Sequence, residues 1–96
     1  MFQFFVKVGA RDTGATGQFA WWDISGGIGR DGTIASTAII GTNVTNTGNS
    51  GGNSAGWTCV VQAENATNGA LQILVSAPAG TGPVRFAASV QMIRVA

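Results

Sequence analysis

The chain has 96 residues and only nine charges, five Lys or Arg against four Asp or Glu, with no His, no Tyr and one Cys, while 45% of it is hydrophobic. Without His, and with a single Cys, neither the common zinc ligand sets nor a His-based triad can be built. A net charge of +1 leaves no phosphate-neutralising stripe, so nucleic-acid binding is not expected.

The length fits one domain, 1–96. Low charge with many Val, Ile, Phe and Trp is the opposite of a disordered composition. A chain this short buries about two-thirds of the surface its unfolded form exposes, so it is marginal alone. Cys59 has no partner for a disulfide, which leaves association with other copies as the expected supplement. No basic n-region or cleavage site follows Met1, and no apolar run approaches the ~20 residues of a membrane span. A protein made and used in the cytoplasm, or packed into a particle assembled there, is expected.

Period-two alternation runs through the chain. Phe2, Phe4, Val6 and Val8 share one face of a first strand, with Gln3, Phe5 and Lys7 opposite. Aromatic residues on both faces suit a central strand, or one that engages a neighbouring subunit. From Phe19 to Ile28, Ala20, Trp22, Ile24 and Ile28 fall together, and Phe19, Trp21, Asp23 and Ser25 fall opposite. Gly29-Arg30-Asp31-Gly32 reads as a hairpin turn, and Thr33–Thr42 as the returning strand with Ile34, Ala38 and Ile40 on one face. Residues 42–55 are rich in Gly, Asn and Thr and read as a long polar loop. Its Asn43, Asn46 and Asn49 are offered as interaction residues. Trp57, Cys59, Val61 and Ala63 alternate in a further strand, then Leu71, Ile73 and Val75, with a turn over 65–69 between them. A second turn over 77–83 precedes the closing strand, where Val84, Phe86, Ala88, Val90 and Met92 share a parity. Ile93 and Val95 change parity, which predicts a bulge or bend near Met92. The whole reads as an all-β domain, one small β-sandwich (jelly-roll or Ig-like) of six to eight short antiparallel strands.

Chemistry has few places to reside. Asp12, Asp31 and Glu64 lie in turn regions and Asp23 on a strand's outer face, so neither a glycosidase pair nor a calcium loop is expected. Cys59 is a small core hydrophobe with no His to activate it. No catalytic residue, metal or cofactor is expected. Trp22 and Trp57 share parity with apolar sets and are expected in the core. Trp21 stands on the opposite face beside Phe19, as a subunit contact, a glycan platform or ordinary packing. The expected interaction surface is Phe2, Phe4, Phe5, Phe19, Trp21, Asn43, Asn46 and Asn49.

Three segments also carry a resemblance: Trp57-x-Cys59-Val60-Val61, Asn68-Gly69-Ala70-Leu71-Gln72-Ile73-Leu74-Val75, and Val84-Arg85-Phe86-Ala87-Ala88-Ser89-Val90. Together they resemble a small β domain of tailed-bacteriophage virion proteins, in which a Trp-led strand precedes Gly-x-Leu-x-Ile-x-Val and an Ile-Arg-Trp-x-Ala-x-Val closing strand. Trp22-Asp23-Ile24-Ser25-Gly26-Gly27-Ile28-Gly29-Arg30-Asp31-Gly32 resembles its first hairpin. The chain departs from that pattern at Phe86 and at Ala77-Pro78. The resemblance implies a non-enzymatic virion protein. Because the domain begins within a few residues of Met1, a capsid decoration (cement) protein is expected, located on the capsid surface and made in the bacterial host cytoplasm. Its partners would be the major capsid protein and copies of itself, as a homotrimer. The alternative is a tail- or fibre-associated, receptor-binding protein that engages a glycan.

Overall fold

A computed structural model describes residues 1–14, 18–51, 54–78 and 83–95. Six strands carry the fold: β1 (Phe2–Asp12), β2 (Phe19–Gly29), β3 (Ala38–Ser50), β4 (Thr58–Glu64), β5 (Ala70–Ser76) and β6 (Val84–Arg94). They form one antiparallel sheet in the order β3-β2-β1-β6 and a second sheet of β4 and β5. The all-β reading is therefore met. Among the described residues, no helix is long and apolar enough to cross a membrane.

Alternation explains the layers. Phe4, Val6 and Val8 of β1, with Ala20, Trp22, Ile24 and Ile28 of β2, point to one side, where they meet Trp57, Cys59 and Val61 from the other sheet. All ten are buried, so both Trp residues assigned to the core lie there. Burial of Cys59 pushes its thiol pKa above the ordinary value, as expected of a packing residue with no cation nearby. β1 is paired on both sides, by β2 and by β6, and is central.

Four expectations are corrected. The returning strand begins at Ala38, not Thr33, because Ile34–Ser36 form a 3-10 turn. Ser36 closes that turn, its hydroxyl donating to the Thr33 carbonyl while it accepts from the Asp31 amide. Gly32, at φ 77°, therefore belongs to a longer connection than a two-residue hairpin. Ala38 and Ile40 share the outer face of the strand, opposite Gly29 and Gly27, while Ile39 pairs with Ile28 on the core side.

The polar stretch at 42–55 is not a loop over most of its length. β3 runs to Ser50 and pairs with β2 down to Phe19. Alternation is missing because β3 is an edge strand, and beyond Asn43 neither of its faces contributes to the core. Thr supplies the β preference and Asn the hydration, which suits an exposed edge. Residues 52 and 53 of that stretch lie outside the described residues, as do 79–82 of the turn expected over 77–83.

The irregularity expected near Met92 lies elsewhere. β6 pairs with β1 in unbroken register from Val84 opposite Asp12 to Arg94 opposite Phe2. The bulge falls between β2 and β3, where the register shifts at Ser25/Gly27 and Gly41 takes φ 74°. Parity changes in β6 only because its outer face also carries an apolar residue, Ile93.

The turn after β4 is organised by Glu64. One carboxylate oxygen accepts from the Thr67 amide at 2.7 Å and the Ala66 amide at 3.0 Å, and the other from the Asn68 amide at 2.7 Å. The Asn68 amide, followed by that of Thr67, holds the carboxyl pKa below the ordinary glutamate value. A depressed folded pKa stabilises above the unfolded pKa and is lost as pH falls through the folded one. Urea unfolding at about pH 7 and about pH 3 should therefore show an acid loss that Glu64→Gln reduces. An acid limb unchanged in that variant would remove Glu64 as its source.

Candidate interaction face

The side of the four-stranded sheet turned away from the core holds the clearest grouping of exposed aromatic residues. Register places them in rows across the strands. Trp21 stands between Gly48 of β3 and Gly9 of β1, with Ala87 of β6 beyond. In the next row toward the Gly29 end of β2, Asp23 faces Asn46 and Lys7. The following row sets Phe5 beside Ser25 and Gln91. On the other side of Trp21, Phe19 is flanked by Ser50 and Arg11.

Trp21 leans toward β3. A Cβ added to Gly48 would sit 2.5 Å from the indole Nε1 and 2.7 Å from Cε2, whereas one added to Gly9 meets nothing within 4 Å. The ring therefore covers Gly48 and leaves an open notch over Gly9. The Thr47 hydroxyl donates to the Trp21 carbonyl at 3.1 Å, fixing the backbone on the same side. Even so, Trp21 remains 44% exposed. A rigid aromatic resting on a glycine, with uncharged polar neighbours, one Lys–Asp row and Arg11 beside Arg85 at the Phe19 end, can anchor a contact.

The eight residues expected to form the interaction surface divide in the structure. Phe5, Phe19, Trp21 and Asn46 share this outer face. Phe4 does not belong to it: its side chain is 0% exposed, because its parity points it into the core. Phe2 has the same parity but lies at the end of the sheet, exposed and lining a groove with Leu71 and Met92. Asn43 is turned toward the second layer by the bulge, and its Nδ2 donates to the Val61 carbonyl at 3.0 Å. It ties β3 to β4 and is structural. Asn49 pairs with Ala20, on the core side of the edge strand but exposed.

Glu64 and Asp23 take the places given to them, whereas Asp12, expected in a turn, is the buried last residue of β1. Asp12 accepts the Gly14 amide at 2.7 Å, Glu64 organises its turn, and Asp23 stands in the outer rows. Among the described residues no three His, Cys, Asp or Glu side chains come together as a metal site.

Sequence reading missed a second exposed apolar feature. Phe86, Val90 and Met92 of β6 face the core side of the sheet but are 59%, 46% and 43% exposed. Their alternation was visible. What hid them was the assumption that a strand's apolar face is covered, whereas two strands cannot span four. No family model matches the chain, and no curated protein or solved structure matches it.

Proposed function

We propose that this chain is a non-enzymatic structural protein of a tailed-phage virion, a capsid decoration protein that binds the outer surface of the head alongside further copies of itself. The observation that carries the reading is the outer sheet face, where Phe5, Phe19 and Trp21 stand exposed among Ser, Asn and Gln in a sheet held by a buried core. Such a face binds by area and shape rather than by chemistry. A protein that binds only the expanded shell stabilises it by mass action, and many copies of a small domain multiply that effect over the particle.

A tail- or fibre-associated role is the second reading. The open notch over Gly9 beside the Trp21 ring, with Asp23 and Asn46 in the neighbouring row, favours it. A sugar ring could stack on the indole there and hydrogen-bond to the amide and carboxylate.

Two measurements separate these roles. Quantitative densitometry of purified virions should give hundreds of copies for a decoration protein; a handful per particle would transfer the chain to the tail. Trp21→Ala should weaken binding to expanded shells by about 10-fold to 100-fold while leaving the melting transition in place. If that variant binds shells as the parent does, the outer face is not the contact. Binding of the parent to a glycan array, lost in Trp21→Ala, would support the second reading instead.

A further inference from the structure

We infer that the open side of the two-layer fold, between β5 and β6, is closed by the same side of a second copy of this chain, related by a two-fold axis lying between the layers and parallel to the strands. The inference deepens the self-association in the proposed role but concerns the chain in solution, so it can fail while the capsid reading stands, and the reverse.

Burial falls off on one side in both layers. Phe4, Val6 and Ala10 of β1 are buried, whereas Met92, Val90 and Phe86 in the same rows of β6 are exposed. In the upper layer Cys59 and Val61 of β4 are buried, and Ile73 and Val75 of β5 only half so. β4 packs over β3 and β2, which leaves β6 without a lid. Among the described residues β5 pairs only with β4, and β6 only with β1, so there each has an unpaired main-chain edge facing this side.

The opposite edge shows that this is not a general property of the molecule's edges. The core-side residues of β3 beyond its bulge are Thr45, Thr47 and Asn49, polar and content in water. An edge strand with an apolar inner face is a template for another chain, and one with a polar face is protected.

Strand arithmetic selects the occupant. Val75 and Ala77 line a groove with Val84 and Phe86, and Leu71 lines another with Met92. β5 and β6 therefore run in opposite directions across the layers. Rotation about an axis along the strands preserves direction, so the partner's β6 arrives antiparallel beside β5 and directly over β6. The reciprocal contact forms at once. Each layer becomes continuous, two strands from one copy and four from the other, and the apolar stripes of the two β6 strands face each other. One chain thus supplies both the missing strand and its complement, which is the condition for an isologous contact.

Size agrees. The chain exposes 5918 Å², where a folded monomer of its mass exposes about 5,100 Å². The excess fits a fold with one uncovered side. The Cα radius of gyration is 14.9 Å, against about 12.5 Å for a compact chain of this length. The pairing is two-fold, in place of the three-fold assembly that the resemblance implied.

Light scattering on the purified chain tests this, with twice the 9.7 kDa chain mass expected at micromolar concentration. Val90→Lys, which sets two ammonium groups face to face, should weaken the dimer by about 30-fold or more, and Thr47→Lys on the polar edge should leave it unchanged. Val90→Cys should be joined between copies by a short bismaleimide rather than by a direct disulfide, since the two copies of residue 90 face each other across layers about 10 Å apart, beyond disulfide reach. A monomer, a trimer, or a dimer that Val90→Cys does not cross-link would each overturn the inference. The parent mass and the cross-link decide it even if Val90→Lys does not fold. A parent that stays monomeric but gains a capsid-derived strand in hydrogen exchange would assign the open side to that partner.

Discussion

Phe4→Ala should cost about 3–5 kcal/mol, a large share of the about 5–14 kcal/mol of stability a domain of this size holds. Phe4 has no exposed surface and lies in the central strand, flanked in register by Gly26 of β2 and Met92 of β6. Removing its ring leaves a cavity between the layers that the flanking strands, hydrogen-bonded on both sides, cannot collapse to fill. Phe5→Ala, one residue away on the outer face, should change stability by about 0.5 kcal/mol or less. Urea midpoints at constant m value compare the two. Equal losses in the two variants would mean that the alternation of β1 is not what builds the core.

Gly26→Val should be the second most damaging substitution, at about 2–4 kcal/mol. Gly26 has no unusual φ, so the cost is steric rather than conformational. A Cβ there would lie 2.8 Å from Phe4 Cζ and overlap the Asn43 side-chain oxygen. Either the ring leaves its place or Asn43 gives up its bond to Val61, which joins the two layers. Gly9→Ala is the matched control, since a Cβ at Gly9 meets nothing within 4 Å, and it should be neutral or stabilising by about 0.5 kcal/mol. If both glycines tolerate substitution equally in thermal melts, the close approach of Phe4 to Gly26 is not a structural constraint.

The two glycines show where sequence reading reaches its limit. Alternation placed Phe4 and Trp21 on opposite faces, because side-chain direction in a strand follows from residue number alone. It did place Phe4 wrongly among the surface residues, since an aromatic at the start of a chain does not announce which face is covered. That Phe4 rests on Gly26 and Trp21 on Gly48 is a matter of register between strands that are 22 and 27 residues apart in the chain. Register depends on the turn lengths and on the bulge at Gly41, neither of which leaves a periodic mark. The same holds for Asn43, which looked like a loop residue and proved to be a tie between layers.

The sequence alone determined the all-β class, the alternating apolar sets of β1, β2, β4 and β5, and the core positions of Trp22, Trp57 and Cys59, because each of these follows from a period of two. It determined too that the surface would carry few charges. Only the tertiary structure decided that 42–50 is an edge strand, since a strand with no buried face has no period to read. It alone decided that β6, as apolar in alternation as β1, has nothing over it, because coverage depends on how many strands stand in the opposite layer and not on the strand's own residues.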